Sequence, residues 1–234
     1  KEYIGELVLG LTTVTDDLAG EVIETRDVSG LSREAVDAAI HAVAQRQQQI
    51  PPHVSAKHQN GIRGYKAVRS GKRPLEFSPV SVQVKQLTVL RYVTEKNRYR
   101  IYFRMTVTPG FYVRAFCRDV GAILECGGCM GHLLRTKAYG FEMTDAMSLA
   151  AVQKHAGEGD FAFITWGEHS PCLLSTFGQL PMAPGEWTAF SHGISVPYAA
   201  PDGEIFIVRH PDGVIAGIAS MQDGRARPLK VFCE

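Results

Sequence analysis

The stretch TPGFYVRAFCRDVG, residues 108–121, marks the point where a strand gives way to a helix. Pro109-Gly110 is a turn signal, and beyond it apolar residues recur at helical spacing from Phe116 to Ile123. Arg114 therefore falls in the first turn of the helix, where the helix dipole favours acidic side chains by roughly 0.3–1 kcal/mol. An arginine at this end indicates a carboxylate or phosphate partner.

The strand before this turn has the clearest alternation in the chain. Its odd-numbered residues from Tyr99 to Val107 are apolar or aromatic, whereas its even-numbered residues include Arg98, Arg100 and Arg104. A period of two predicts a strand over 98–107 with one core face and one basic face. The basic face either follows an RNA backbone or simply faces solvent.

In the first 52 residues of the chain, the pattern predicts two strands and a helix. The strands are Ile4–Leu11 and, after a turn near Asp16, Glu21–Thr25. Ser32 is the expected N-cap of the helix, and Ile50-Pro51-Pro52 is expected to end it. The expected apolar face of the helix consists of Val36, Ala39, Ile40 and Val43.

Downstream of residue 121, the texture of the sequence changes near Pro171. Before that point, 133–136 reads as a strand and 144–155 as a helix. After it, short apolar runs alternate with Gly/Pro turns, which predicts a small all-β module of about 60 residues. We therefore place a domain boundary near Cys172, between domains 1–172 and 173–234.

The overall composition excludes several classes of protein. The 234 residues are 45% apolar and carry a net charge of +1, so the chain has no global basic field. No apolar run approaches the roughly 20 residues of a membrane helix, and no secretory signal is recognisable. Locally, residues 51–75 contain six Lys or Arg residues and no acid. This basic segment indicates either a phosphate-facing surface or a solvated loop.

The five cysteines argue against a disulfide scaffold, because their number is odd in a chain of this length. They fit a reducing, cytoplasmic location. Cys126-Gly-Gly-Cys129 has the spacing of a metal or redox pair, but no second pair matches it. The alternative, which we favour, is a pair of small residues at a glycine-rich turn.

Several short motifs, in order along the chain, resemble those of the TruB family of pseudouridine synthases. Tyr3 before Leu9-Gly10, followed by Thr15-Asp16-Asp17, resembles the second motif region. The remaining matches are Gln49-Ile50-Pro51-Pro52 with Ser55-Ala56 (the T-arm-gripping loop), Gly110–Arg114 with Asp119-Val120-Gly121 (the third motif), and Leu133 with Arg135. The β-rich tail resembles the PUA-like domain that closes these proteins.

The resemblance implies a fold and a reaction. The fold would be α+β, with a mixed or antiparallel sheet in a catalytic domain (1–172) and an all-β PUA-like RNA-binding domain (173–234). The reaction would isomerise uridine 55 in the tRNA T-loop to pseudouridine, by base flipping and an aspartate-dependent rearrangement of the glycosidic bond. It implies no metal and no organic cofactor. The expected partner is the T-arm of tRNA, with no membrane, and we expect a cytoplasmic monomer.

The resemblance also assigns roles to individual residues. Tyr3 would be the catalytic aromatic and Arg114 the arginine that holds the catalytic aspartate, while Tyr112 and Leu133 would line the pocket. The residues expected to bind RNA are Lys57, His58, Arg63, Lys66 and Arg135. Each role has a simpler alternative. Tyr3 would be a strand tyrosine at a sheet edge, and Tyr112 would belong to the core. Arg114 would form a salt bridge with Asp119 or contact a phosphate, and the basic segment would be a solvated loop.

The catalytic aspartate of the family has no counterpart in these residues. In the family it lies in a glycine-threonine-leucine-aspartate-proline motif upstream of the position of Lys1, and no aspartate of this chain has that context. The chain thus resembles a TruB protein without its N-terminal segment, and we expect residues 1–234 alone to be inactive. The rival hypothesis is a non-catalytic tRNA-binding or tRNA-folding protein on the same scaffold.

Overall fold

The computed structural model describes residues 1–55, 77–95, 98–164 and 177–232, together with the backbone of 58–59 and 62–63. The chain divides into two compact units, Lys1–Ala138 and Tyr139–Glu234. The predicted boundary near Cys172 lies outside the described residues, so the division into 1–172 and 173–234 stays a prediction. Within the described residues, no helix is long and apolar enough to cross a membrane.

Among its described residues, the first unit contains two helices and a central antiparallel sheet. The helices are α1 (Arg33–Ala44) and α2 (Val113–Ile123). Within the unit the sheet runs in the order β10-β1-β9-β8, formed by Gly128–Ala138, Glu2–Leu9, Arg98–Val107 and Val84–Glu95. The shorter strands are β2 (Leu11–Thr13), β3 (Val22–Thr25), β4 (Gln48–Gln49), β5 (His58–Gln59), β6 (Ile62–Arg63) and β7 (Val80–Ser81).

The core of the first unit lies between one face of this sheet and the two helices. The predicted burial of alternate residues in β9 is confirmed, since Ile101, Phe103, Met105 and Val107 are all buried. The predicted apolar face of α1 is also confirmed, and the hydroxyl of Ser32 caps the helix by accepting from the N–H of Ala35 at 3.1 Å. A T-shaped contact between Phe103 and Phe116 joins β9 to α2.

Two predicted boundaries were wrong in detail. Strand β1 ends at Leu9 rather than at Leu11, because Gly10 adopts a left-handed conformation (φ +86°). Helix α1 ends at Ala44, before the proline pair, because Gln48–Gln49 pairs as a strand with β7. Ile123, the last residue of α2, is 41% exposed and does not belong to the core.

Helix α2 packs closely on β10, and this contact sets the helix beside the sheet. A Cβ on Gly121 would lie 2.2 Å from the backbone nitrogen of Gly128, a distance that no side chain tolerates. Glycine at 121 therefore allows the helix to approach the strand. The N-terminus of α2, which carries Arg114, is consequently held next to the part of the sheet that carries Leu133.

The opposite face of the sheet is organised around a buried carboxylate, that of Glu6. Its carboxylate accepts hydrogen bonds from Arg100 Nη1 at 2.7 Å, from the Tyr102 hydroxyl at 2.9 Å and from the N–H of His132 at 3.1 Å. Burial acts to raise the pKa of Glu6, but these hydrogen bonds outweigh it and hold the pKa below its ordinary value. The supposedly solvent-facing arginines of β9 thus include one that neutralises a buried acid.

Glu6 also fills an irregularity in the pairing of β1 with β10. Gly5 lies opposite Leu133 and Leu7 opposite Met130, so Gly131 and His132 together face Glu6. A Cβ on Gly131 would lie 2.1 Å from Glu6 Oε2, so the carboxylate occupies the space that a side chain would need. The bulge lies directly before Leu133 in β10.

The second unit contains a five-stranded sheet with helices beside it. The sheet order is β12-β14-β15-β16-β13, formed by Gly178–Pro181, Ile205–Arg209, Ile215–Gln222, Arg225–Val231 and Val196–Pro197. The other elements are β11 (Phe141–Glu142), a 3-10 turn (Met143–Asp145), α3 (Leu149–Gly157) and α4 (Pro184–Ser191). The α+β class is thereby confirmed.

Two expectations for this unit need correction. The helix expected over 144–155 begins only at Leu149, because Ser148 is its N-cap, and Thr144 lies in the preceding 3-10 turn. Pro184-Gly185 is one of the Gly/Pro pairs of this region that the sequence predicts as turns, but Pro184 opens helix α4, a position where proline is well tolerated. The predicted all-β module therefore also contains a helix, which contributes the buried Phe190 to its core.

We predict that Glu6→Gln destabilises the protein at neutral pH by about 1.5–3 kcal/mol, because it weakens hydrogen bonds to a charged group. Since the folded-state pKa of Glu6 is depressed, its contribution is complete above the ordinary pKa of 4.5 and is lost as the pH falls through the folded-state value. Urea denaturation from pH 7 to pH 3 should therefore show a difference between wild type and variant that shrinks with acid.

The control for this measurement is Glu95→Gln, because the Glu95 side chain is 62% exposed where it approaches Arg100. An effect of Glu6→Gln no larger than that of Glu95→Gln would show that the buried carboxylate does not stabilise the sheet.

Candidate active site

A small cavity of about 170 Å³ opens where the N-terminus of α2 meets strands β1 and β10. Four of its lining residues are those that the sequence singled out: Tyr3, Tyr112, Arg114 and Leu133. The other three lining residues are Phe111, Val113 and Met130. The structure therefore brings together residues that lie up to 130 positions apart in the sequence.

Each wall of the cavity is placed by a separate element. Tyr3 and Leu133 come from neighbouring antiparallel strands, in which Tyr3 lies opposite Arg135 and Gly5 opposite Leu133. The turn before α2 uses a left-handed glycine, Gly110 (φ +85°). Leu133 is 40% exposed, so it is a wall of the cavity rather than a core residue. Arg135 is exposed beside Tyr3 and does not line the cavity.

Arg114 forms hydrogen bonds with three residues of the protein. Its Nη1 donates to the carbonyl of Thr15 at 3.0 Å and to Asp17 Oδ2 at 3.2 Å, and its Nη2 donates to the carbonyl of Val54 at 2.8 Å. The alternative of a salt bridge to Asp119 is wrong. The positive charge at the N-terminus of α2 is instead offset by Asp17, whose Oδ1 accepts from the Thr15 hydroxyl at 2.6 Å.

Asp119 is engaged elsewhere, one turn further along α2. It lies 2.8 Å from Arg118 Nη2 and 3.6 Å from Arg46 Nη1. Arg118 also contacts Asp16 Oδ2 at 3.2 Å and donates to the carbonyl of Ile50 at 3.0 Å. Burial raises the pKa of Asp16 above its ordinary value, although Arg118 and Arg114 act against this rise.

Asp16 and Asp17 belong to a turn that is hydrogen-bonded to β10. The N–H of Leu18 donates to the carbonyl of Met130 at 3.0 Å, and the N–H of Met130 donates to the carbonyl of Asp16 at 2.9 Å. Sequence reasoning interpreted Thr15-Asp16-Asp17 only as a turn and missed its contact with Arg114. The available signal was the unexplained arginine itself, which required a carboxylate but did not say which one.

Gln49 is a second residue that sequence reasoning missed. Its side chain is buried, and its amide makes two hydrogen bonds with the backbone of Tyr112. Nε2 donates to the carbonyl at 3.0 Å, and Oε1 accepts from the N–H at 2.8 Å. The sequence places Gln49 in the T-arm-gripping motif but does not predict a role for its side chain.

The residues expected to bind RNA on the basic segment cannot be compared with the structure. Lys57 and Lys66 lie outside the described residues. For His58 and Arg63 only the backbone is described, and the two residues face each other in the antiparallel pair β5–β6. Their proposed contacts with RNA remain predictions.

The cysteine pair at 126 and 129 is buried. Burial raises the pKa of Cys126 above its ordinary value and that of Cys129 to about 11. Both side chains are therefore neutral thiols at pH 7, whereas metal binding and thiol exchange use the thiolate. Within the described residues, no group of three or more His, Cys, Asp and Glu side chains is arranged to hold a metal ion.

Comparison with known proteins places this fold in one class. The structure is similar to that in the "Crystal Structure of a Cbf5-Nop10-Gar1 Complex", with a TM-score of 0.64 at 16% identity, covering 100% of this chain and 66% of that one. This likeness concerns the fold alone. The sequence model described as "TruB family pseudouridylate synthase (N terminal domain)" matches residues 1–113.

Two proteins named tRNA pseudouridine synthase B show the family more closely. That of Synechococcus sp. (strain CC9311) is 30% identical over 239 residues, covering 99% of this chain and 77% of the relative. That of Synechococcus elongatus (strain ATCC 33912 / PCC 7942 / FACHB-805) is 35% identical over 149 residues, covering 64% of this chain; the match spans half the length of that relative. The chain belongs to the TruB family of pseudouridine synthases.

We predict that Asp17→Asn destabilises the first unit by about 1.5–3 kcal/mol, because Arg114 loses a charged acceptor in a partly buried position. Chemical denaturation followed by tyrosine fluorescence measures the change. Asp202→Asn is the control, since Asp202 is exposed. Equal stabilities of the two variants would show that the Asp17 carboxylate does not hold Arg114.

Proposed function

We propose that this protein is a tRNA pseudouridine synthase that isomerises uridine 55 in the T-loop. The observation that carries the proposal is the cavity in which Tyr3, Tyr112, Arg114 and Leu133 converge, in a chain of the TruB family. The resemblance of motifs assigns roles in the site to the same four residues. Their convergence supports a shared role.

The cavity offers the functions that the reaction requires. A target base must leave the folded loop and enter a pocket, at a cost of a few kcal/mol. Tyr3 then stacks on the free base, and its hydroxyl is available for a proton transfer. Tyr112 and Leu133 provide the walls against which the base turns before it is rejoined to the ribose through carbon.

Arg114 is proposed to hold the catalytic carboxylate ionised and correctly aimed. Its contacts with Thr15, Asp17 and Val54 use three of the five N–H groups of a guanidinium. Among the contacts with described residues, this leaves two donors for a further carboxylate. Such a charge-assisted bond lowers the pKa of the acid and keeps it in its reactive, ionised form.

The substrate is proposed to be gripped outside the cavity as well. Residues 51–75 carry six Lys or Arg residues and no acid, and Arg135 is exposed beside Tyr3. These groups suit the phosphates of a T-arm stem-loop. We further propose that residues 173–234 act as a PUA-like RNA-binding domain, and that the protein works as a cytoplasmic monomer without metal or organic cofactor.

We predict that a polypeptide of residues 1–234 alone forms no pseudouridine, because no aspartate in it has the context of the family's catalytic residue. The test is incubation with a tRNA transcript, followed by digestion and nucleoside chromatography, since the product has the same mass as uridine. An active pseudouridine synthase serves as the positive control. Formation of pseudouridine by residues 1–234 would contradict the prediction.

The second candidate is a non-catalytic tRNA-binding or tRNA-folding protein on the same scaffold. It is favoured by the missing aspartate context and by the carboxylate that Arg114 already holds, Asp17. The coding sequence upstream of Lys1 separates the two. A strand followed by a glycine-rich turn with Asp-Pro supports the enzyme, whereas a start codon directly before Lys1 supports the binding protein.

We predict that Arg63→Ala and Lys66→Ala each weaken tRNA binding and flatten its salt dependence. The slope of log K against log salt concentration is negative, and each lost phosphate contact reduces its magnitude by about 0.7–0.9. The measurement is fluorescence anisotropy with labelled tRNA at KCl concentrations from roughly 50 to 300 mM. Lys154→Ala, in the exposed part of α3, is the control, and an unchanged slope would assign the basic segment to solvent.

A further inference from the structure

The buried amide of Gln49 connects the start of the basic segment to the helix that lines the cavity. This residue is 5% exposed and immediately precedes Ile50-Pro51-Pro52, where the basic segment begins. Its backbone is anchored, because Gln49 pairs with Val80 in the β4–β7 ladder. Its side chain reaches across to α2, 63 positions away in sequence, and bonds both backbone groups of Tyr112.

The two hydrogen bonds define the orientation of the amide and of the backbone that it meets. One is donated by Nε2 to a carbonyl and the other is accepted by Oε1 from an N–H, so a flipped amide would satisfy neither. Tyr112 is the N-cap residue of α2, and its own side chain does not cap the helix. Gln49 therefore supplies the N–H of this residue with an acceptor and fixes the start of the helix.

Two further contacts connect the same stretch of chain to α2. The carbonyl of Ile50 accepts from Arg118, and the carbonyl of Val54 accepts from Arg114. The stretch 49–54 is thus tied to the helix at Tyr112, Arg114 and Arg118. Two of these three residues line the cavity. A displacement of this stretch is transmitted to the cavity wall through the three contacts.

We propose that Gln49 is a positioning residue that shapes the cavity for the target base of an RNA stem-loop. It holds the backbone of Tyr112, and with it the first turn that carries Arg114, in the geometry that accepts a flipped pyrimidine. The proposal rests on the proposed function, because it takes the ligand to be an RNA whose target base enters the cavity.

The experiment separates RNA binding from entry of the base. The probe is a T-arm hairpin RNA with a fluorescent pyrimidine analogue at the target position and an anisotropy label at its end. With Gln49→Leu, which retains bulk but makes neither hydrogen bond, we expect the unstacking signal at saturation to fall at least about tenfold, the scale of one lost hydrogen bond of about 1.4 kcal/mol. The dissociation constant should change by less than about threefold, because the basic segment still meets the phosphates.

Gln49→Glu provides a test that a merely structural role does not pass. A protonated carboxyl can donate to the carbonyl of Tyr112 and accept from its N–H, as the amide does, whereas a carboxylate can only accept. Burial against a carbonyl raises the folded-state pKa of such a group, so the wild-type-like state is present at low pH and is lost as the pH rises through that value. The unstacking signal of Gln49→Glu should return on acidification, while that of Gln49→Leu stays low.

The matched control is Gln48→Leu, since Gln48 is the exposed neighbour in the same strand. The proposal is overturned if Gln49→Leu retains the unstacking signal, if binding and unstacking fall together with the stability of the chain, or if Gln49→Glu shows no recovery in acid. If wild-type protein binds the hairpin without unstacking the analogue, the proposed function fails and this inference fails with it. Normal unstacking by wild type and by every Gln49 variant overturns the inference alone.

Discussion

The placement of a guanidinium at the N-terminus of helix α2 is the constraint on which the site depends. The helix dipole opposes a positive charge there, so Arg114 requires nearby acceptors. It finds the carbonyls of Thr15 and Val54 and the carboxylate of Asp17. By satisfying one charge, the protein ties Thr15, Asp17 and Val54 to the first turn of α2, and that turn forms one wall of the cavity.

Strand β1 makes this arrangement possible because its two faces carry different chemistry. One face presents Tyr3 to the cavity and Leu7 to the core. The other presents Glu6, whose carboxylate neutralises Arg100 and binds the bulge before Leu133. A single strand therefore contributes Tyr3, the catalytic candidate, and also Glu6, whose buried carboxylate binds the bulge that precedes Leu133 in the opposing wall. Bulges are over-represented beside active sites.

The function that we propose follows from placement rather than from reactive groups, since neither a tyrosine nor an arginine breaks a glycosidic bond unaided. The cavity provides a stacking surface, two walls and a cation that can hold a carboxylate. The ties between residues 49–54 and α2 hold the first turn of the helix, which forms part of the cavity wall. In the proposed function, recognition of the RNA and isomerisation of its base use the same scaffold.

The sequence by itself determined the local features. The alternation of β9, the apolar face and N-cap of α1, and the start of α2 all follow from periodicity and turn chemistry within a short window. The set Tyr3, Tyr112, Arg114 and Leu133 was also named in advance, but from the resemblance of motifs, and periodicity would not have joined residues so distant in sequence.

Only the tertiary structure decided which groups satisfy each other. Asp17 rather than Asp119 meets Arg114, Gln49 meets the backbone of Tyr112, and Glu6 fills the bulge in β10. Each of these pairs spans more than 60 positions, so no local pattern marks it. Buried polar groups must find partners wherever the packed fold brings them, and that requirement is met in three dimensions, not along the chain.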